Sequence, residues 1–249
     1  GLFSAKFPQE PFIKTLKQEI GEVTIGGKEI RTGLAILAKR LDTASPWIIH
    51  NNPKGKYFSP AGDCEAVPNR EFLLRQVIRA STAAPTYFNP ERMEVARGMD
   101  AAFVDGGVST FNNPALQLFL LATVKGYEFN WKTGQDDILL VSIGTGTPDL
   151  RLKPEEVMNM PALQMLGQTL LSLINDCDWQ NQALLQLISK CPDCWEIDAE
   201  MGDLRDENLL NQKLLTYVRY NAIFERDWIK NNTGMDLNVK QVKTFAEID

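Results

Sequence analysis

The sequence has a single histidine and only four cysteines among its 249 residues. A Ser-His-Asp triad would therefore have to use His50, which follows the apolar run Trp47 to Ile49 and is expected to have a structural or loop role. Four cysteines in a chain of this length do not form a disulfide framework. Cys191 and Cys194 have C-x-x-C spacing, but the remaining cysteines and His50 are scattered, so reduced thiols in a loop are favoured over a zinc or redox site.

The sequence also lacks long apolar runs and an excess of positive charge. The best apolar candidate, Ala115 to Val124, is shorter than the roughly 18 residues that span a bilayer, and it predicts a core helix. With 26 basic and 32 acidic residues the net charge is -6, which argues against nucleic-acid binding. The start, Gly1-Leu2-Phe3, is neither an initiator methionine nor a signal segment. We therefore expect that the chain begins downstream of its natural start and that the protein is cytoplasmic.

Apolar periodicity and turn residues predict an α/β layered fold, with strands alternating with helices in the first part of the chain. Strands are expected within 34–38, 47–49, 101–104 and 138–143, and helices over 11–20, 70–80 and 114–126. Residues 1–249 are expected to form one domain, with an α/β core over 1–150 and a mostly helical part over 151–249.

The helical part begins after Pro161 with apolar residues at helical spacing, and a second helical stretch is expected from Glu207 to about Trp228. The stripe favours core packing over a lipid-facing surface, because its polar face lacks the Lys and Arg of a membrane helix. It consists of Leu163, Leu166, Leu170, Leu173, Cys177, Leu184 and Ile188.

Asp105-Gly106-Gly107 is the strongest local signal for chemistry. It follows the predicted strand 101–104, and a carboxylate at the carboxyl end of a parallel strand lies where α/β enzymes place their sites. The two glycines permit a sharp turn and the close approach of a partner group. Taken alone, the tripeptide is a common turn.

Three segments together resemble the patatin-like phospholipases, or lipid acyl hydrolases. Arg79 to Phe88 (RASTAAPTYF) is similar to the family segment before the catalytic aspartate. Phe103 to Val108 (FVDGGV), with Asn113-Pro114, is similar to the aspartate motif itself. Val141 to Gly146 (VSIGTG) is similar to the next core strand and turn. The three occur in family order, and weaker similarity extends over most of the chain.

This resemblance implies a three-layer α/β/α sandwich, truncated at the N-terminus, that cleaves acyl esters of lipids by a Ser-Asp dyad. Asp105 would be the general base, Gly106 and Gly107 would shape the site, and neither histidine, metal nor cofactor is required. The expected partners are a lipid or phospholipid substrate and, transiently, a membrane surface. The turn after Ile143 is expected near the lipid site rather than in a nucleotide site.

The sequence departs from the family where the nucleophile is concerned. It has no G-x-S-x-G elbow and no upstream glycine-rich oxyanion segment, and both would precede Gly1 in family order. Ser4, Ser81, Ser109 and Ser142 lack the flanking glycines of an elbow. A missing N-terminal segment is therefore expected to carry the serine and the oxyanion hole, and this chain alone is expected to be nearly inert. The alternative is a noncatalytic lipid-binding or protein-interaction module on the same scaffold.

Overall fold

The computed structural model describes residues 5–62, 65–148, 151–207 and 209–246. The chain divides into two compact units, Gly1–Lys132 and Thr133–Asp249. Both units combine helices with β-sheet, so the predicted α/β class is confirmed. Within the part of the chain that the structure describes, no helix is both long enough and apolar enough to cross a bilayer. The assignment of 1–249 to one domain stays a prediction.

The first unit is built on a four-stranded antiparallel sheet with the strand order β2-β1-β4-β3. Its strands are β1 (Ala35–Arg40), β2 (Ser45–His50), β3 (Glu91–Ala96) and β4 (Met99–Asp105). Its helices are α1 (Glu10–Ile20), α2 (Leu74–Ser81) and α3 (Ala115–Thr123). The predicted strands β1, β2 and β4 are confirmed, whereas β3 was not predicted.

The expectation that Asp105 lies at the end of a parallel strand is wrong. Strand β4 pairs antiparallel with β1, with Ala38 opposite Asp105, and antiparallel with β3 on its other side. The apolar run 101–104 predicts a strand but not its direction, because a short buried strand has the same composition in either kind of sheet.

Helix α2 begins four residues later than its sequence pattern predicts. Phe72 and Leu73 have extended backbone and pair with the segment before Gly26. The N–H of Ile25 donates to the carbonyl of Phe72, and the N–H of Leu74 donates to the carbonyl of Val23. These tertiary hydrogen bonds use backbone groups that a longer helix would need for itself.

The core of the first unit lies between this sheet and α2. Phe103 on β4 is fully buried, and its ring meets that of Trp47 edge-on at 5.2 Å. The buried residues of this cluster are Ile25, Ala38, Ile49, Phe72, Val77, Ala80, Met93, Val95, Ala101 and Phe103.

The second unit contains a parallel sheet with the strand order β5-β8-β7 and a two-stranded parallel sheet of β6 and β9. The strands are β5 (Leu139–Ile143), β6 (Thr147–Pro148), β7 (Ser189–Lys190), β8 (Leu215–Tyr220) and β9 (Ile223–Phe224). The helices are α4 (Pro154–Met158), α5 (Ala162–Ile188), α6 (Arg226–Thr233) and α7 (Val239–Ala246).

The helical stretch predicted from Glu207 to Trp228 is wrong. That segment contains β8 and β9, and a helix begins only at Arg226. The run Leu215 to Tyr220 alternates buried with more exposed residues, placing Leu215, Tyr217 and Arg219 on the buried face. This period of two, together with β-branched and aromatic residues, is typical of a strand.

The long helix α5 confirms the helical spacing after Pro161, but its leucine stripe does not pack as predicted. Leu163, Leu166, Leu170 and Leu173 are between 53% and 63% exposed. The buried positions of α5 are instead Asn181, Gln182, Leu185 and Gln186. Gln182 accepts a hydrogen bond of 2.6 Å from the hydroxyl of Tyr217, so polar side chains form much of this packed face.

Replacing the central core residue tests the described packing of the first unit. We expect Phe103→Ala to lower the free energy of unfolding by about 3–5 kcal/mol, because it removes a fully buried ring and leaves a cavity. Met99→Ala is the control: it lies on the same strand, is 52% exposed, and should cost less than about 0.5 kcal/mol. Urea unfolding measures both, and equal losses would contradict the packing.

Candidate active site

Asp105 is the last residue of β4, and the chain turns sharply directly after it. Its Oδ1 accepts a hydrogen bond of 2.7 Å from the N–H of Gly107, so the carboxylate caps the short 3-10 turn Gly106–Val108. The side chain is half-buried. The strand thus ends with a carboxylate whose position is set by the backbone of the turn that follows.

Gly106 has no space for a side chain. A Cβ at this position would lie 2.5 Å from the carbonyl oxygen of Leu37 on the neighbouring strand β1. A Cβ on Gly107 would lie 3.1 Å from Oδ1 of Asp105. The two glycines predicted to shape the site therefore let the turn pass close to β1 and to the carboxylate.

The segment Arg79 to Phe88 meets the aspartate turn directly. The N–H of Asp105 donates a hydrogen bond of 3.1 Å to the carbonyl of Ala83. The hydroxyl of Ser81 donates at 2.7 Å to the carbonyl of Leu37, the same group that Gly106 approaches. Two of the three segments picked out in the sequence are therefore joined in the first unit.

Arg79, the first residue of that segment, is only 1% exposed. Its Nη2 donates to the carbonyl of Asn89 at 2.9 Å, and its guanidinium lies 5.1 Å from the centre of the Phe88 ring. Thr86 in the same segment has a φ of 72°, which is rare for a β-branched residue. The buried arginine of α2 therefore contacts the residues that follow the strained position Thr86.

Burial raises the pKa of Asp105 above its ordinary value, and the hydrogen bond from Gly107 partly opposes this shift. A carboxylate with a raised pKa is a stronger base than an exposed aspartate, which suits proton abstraction. Asp42 in the same unit differs, because the hydrogen bond from Arg40 lowers its pKa. The pKa of Asp105 is thus shifted in the direction that would make it a stronger base.

The hydroxyl groups near Asp105 are already used within the fold. Ser81 donates to Leu37, and Ser109 donates to the carbonyl of Gly106 at 2.6 Å. Ser142, in the second unit, accepts a hydrogen bond of 2.7 Å from Arg219. Ser4 lies outside the described residues. That none of these four serines is the nucleophile stays a prediction.

His50 has the structural role expected for it. It is 5% exposed, its Nδ1 accepts from the N–H of Asn52 at 3.3 Å, and its ring meets Tyr127 edge-on at 6.1 Å. Burial lowers its pKa. A Cβ on Gly55 would collide with the imidazole, so the loop is closely packed over it.

The third segment, ending in Gly144-Thr145-Gly146, lies in the second unit at the carboxyl end of β5. A Cβ on Gly144 would lie 2.4 Å from Oδ1 of Asn221, and Gly146 has a φ of 127°. Asn221 follows β8, and its side-chain amide donates to the hydroxyl of Thr147 at 2.8 Å. The glycine turn is therefore shaped by a neighbouring strand that the sequence did not predict.

A cavity of about 420 Å³ opens beside this turn within the second unit. Arg219 donates to Asp178 of α5 at 3.2 Å and to Ser142. Arg219 and Ser142 lie near the carboxyl ends of the parallel strands β8 and β5, where α/β sheets place ligands. The lining includes Thr147, Asp178, Trp179, Trp195, Arg219 and Asn221. Sequence reasoning missed this cavity because it assigned β8 to a helix; the alternation from Leu215 to Tyr220 could have found it.

Comparison with known proteins agrees with the geometry of the first unit. Residues 1–119 match the family model of the patatin-like phospholipases. The predicted resemblance is confirmed.

The curated relatives are distant, and they are longer than this chain. A "Probable inactive patatin-like protein 9" of Arabidopsis thaliana is 28% identical over 61% of this chain and 37% of its own length. Patatin-like protein 6 of the same plant is 26% identical over 72% of the chain and 34% of its length. Patatin-15 of Solanum tuberosum is 27% identical over 59% of this chain and 37% of its own length. The chain thus spans just over a third of the length of each of these three relatives.

Opposite pKa shifts at Asp105 and Asp42 predict opposite effects of pH on stability. Native Asp105 binds its proton more tightly than the unfolded chain does, so its ionisation lowers stability as pH rises through the window between its ordinary and raised pKa. The side chain in Asp105→Asn is neutral at every pH and keeps an oxygen that can accept the N–H of Gly107. It should therefore gain stability relative to wild type as pH rises through that window.

Asp42→Asn is the matched control with the opposite sign. The contribution of Asp42 is present above its ordinary pKa and is lost as pH falls through its lowered pKa, so this variant should lose stability relative to wild type as pH rises. Urea unfolding at a series of pH values measures both differences. The same pH trend in the two variants would contradict the assignment.

Proposed function

We propose that this chain supplies the aspartate half of a lipid acyl hydrolase that uses a Ser-Asp dyad. The observation that carries the proposal is the turn at the end of β4, where Asp105 is held by Gly107 and by Ala83 and has a raised pKa. The matched family is one of phospholipases, which supports ester hydrolysis of lipids as the reaction class. In the proposed step, Asp105 accepts the proton of a serine hydroxyl as the oxygen attacks the acyl carbonyl.

The nucleophile and the oxyanion hole are proposed to lie in sequence that precedes these residues in the gene product. Two observations support this: no G-x-S-x-G occurs in the sequence, and the relatives are nearly three times as long as the part that matches. The 249-residue chain alone should then be nearly inert, since loss of the nucleophile and the oxyanion hole removes most of the catalysis.

A noncatalytic module on the same scaffold is the second candidate. The relative whose name describes it as probably inactive favours it, as does the absence of an elbow from this sequence. Such a module would keep the turn at Asp105 for folding and bind lipid or protein without turnover. Sequence upstream of Gly1 distinguishes the two candidates, because an elbow there supports the enzyme.

Activity of the complete gene product tests the role of Asp105. We expect Asp105→Asn to lower kcat on a phospholipid and on a short-chain nitrophenyl ester by about 10²–10⁴-fold, because it removes the general base while keeping the side chain's shape. Asp100→Asn, an exposed aspartate on the same strand, is the control and should retain activity.

A fluorophosphonate reagent provides an independent readout in the same experiment. The complete product should be labelled on serine, and the 249-residue chain should not be. Full activity in Asp105→Asn would refute the assigned base, whereas an unlabelled and inactive complete product would favour the module.

We further propose that the first half of α5 contacts the lipid surface. The segment Pro161 to Asn175 has no charged residue, and its leucines are exposed rather than packed. A helix with this composition gains free energy by burying apolar area in the interface and not by attracting anionic lipids. Its contact with vesicles should therefore depend little on salt or on lipid charge.

Vesicle flotation of the 249-residue chain tests this contact. We expect Leu170→Glu to reduce binding to phosphatidylcholine vesicles by roughly tenfold or more, because it replaces an apolar side chain with a charge that must leave water. Leu41→Glu is the control, since Leu41 is 55% exposed and Leu170 is 53% exposed. Equal binding of both variants, or binding abolished by salt, would contradict the proposal.

A further inference from the structure

The two cysteines of the C-x-x-C segment lie against each other in the loop after β7. The thiol of Cys194 donates to the carbonyl oxygen of Cys191 at 3.0 Å, so the second sulfur points back towards the first residue. The side chain of Cys194 also contacts the Cys191 thiol. Both are free thiols. The loop therefore holds two thiols in contact without a bond between them.

Both ends of this loop are anchored to regular structure. Before Cys191, Ser189 and Lys190 pair with Leu215 and Thr216 of β8. After Cys194, the backbone N–H of Trp195 donates to Gln186 of α5 at 2.9 Å. The indole N–H of Trp195 donates to the carbonyl of Arg219 at 3.0 Å. These contacts limit how far the two thiols can separate.

The two thiols differ in access and in electrostatic surroundings. Cys191 is 6% exposed, and burial, with contact to the Cys194 thiol, raises its pKa. Cys194 is half-buried and lines a cavity of about 390 Å³ together with Trp195 and Asn221. The guanidinium of Arg205 lies beside the Cys194 side chain. Cys194 is therefore the sulfur that a small molecule in the cavity reaches first.

Among the described residues, no group of three or more His, Cys, Asp or Glu side chains is placed to hold a metal ion. A structural zinc site needs four ligands, whereas thiol–disulfide exchange needs only a second sulfur in reach.

We propose that Cys194 and Cys191 form a thiol-modification site for small disulfides such as glutathione disulfide. The Cys194 thiol loses its proton to solvent and attacks one sulfur of the small disulfide, which forms a mixed disulfide and releases one glutathione thiolate that takes up a proton. The Cys191 thiol then loses its proton to solvent and attacks the Cys194 sulfur, releasing the second glutathione. The protein loses two protons and two electrons, and the small disulfide takes them up to become two thiols.

This site lies at the cavity edge rather than in the turn at Asp105, and the inference does not rest on the proposed hydrolase. Glutathionylation of Cys194 would place a charged tripeptide beside Trp195 and Asn221. A disulfide between Cys191 and Cys194 would add no group to the cavity and would link the two ends of the loop covalently. The second cysteine thus limits how long the bulky adduct persists.

Mass spectrometry of the 249-residue chain after incubation with glutathione disulfide tests the order of events. Wild type should lose two hydrogens and yield a Cys191–Cys194 disulfide in its peptide map. Cys191→Ser should accumulate a stable glutathione adduct on Cys194. Cys194→Ser should react at Cys191 at least about tenfold more slowly, because the remaining thiol is buried. Cys177→Ser is the control and should behave as wild type does.

Three outcomes would overturn the proposal. They are a stable adduct in wild type with no internal disulfide, equal rates in the two cysteine variants, and faster reaction at Cys191 than at Cys194. Circular dichroism and thermal unfolding of each variant show whether the fold is retained. A variant that unfolds is replaced by the corresponding alanine variant, so the rate comparison is still made on folded protein.

Discussion

The carbonyl of Leu37 is the point on which the candidate site depends. It lies on β1, and Gly106 can pass it only because this residue has no Cβ. The hydroxyl of Ser81 donates to the same oxygen. One backbone group thereby positions the end of α2 and the turn after β4. The carboxylate of Asp105 is consequently held by parts of the chain that lie far apart in sequence.

This arrangement explains how one aspartate among many acquires a distinct chemistry. Half-burial removes water from the carboxylate and raises its pKa, while the hydrogen bond from the N–H of Gly107 partly opposes this shift. Asp42, on the neighbouring hairpin, has an arginine partner and a lowered pKa. The difference in pKa arises from the surroundings of each carboxylate, which are burial at Asp105 and the Arg40 side chain at Asp42.

The second unit shows a different way of using polar residues. Gln182 and Gln186 are buried in the packed half of α5, where Gln186 donates to the carbonyls of Trp195 and Asp203 at 2.8 Å each. The leucines in the first half of the same helix face outward. Because buried amides remain bonded to partners, they can pack as well as apolar residues do. An apolar stripe therefore does not by itself identify the face that a helix buries.

The sequence by itself determined the α/β class and the strands around Ile36, Ile48 and Phe103, and it singled out Asp105 with its two glycines as the candidate site. These features are local, because periodicity and turn chemistry act over a few neighbouring residues. The tertiary structure alone decided the antiparallel direction of β4 and the outward-facing leucines in the first half of α5. Each depends on which distant segment offers hydrogen-bond partners or covers a surface. Such partners are set by the fold of the whole unit and leave no local mark in the sequence.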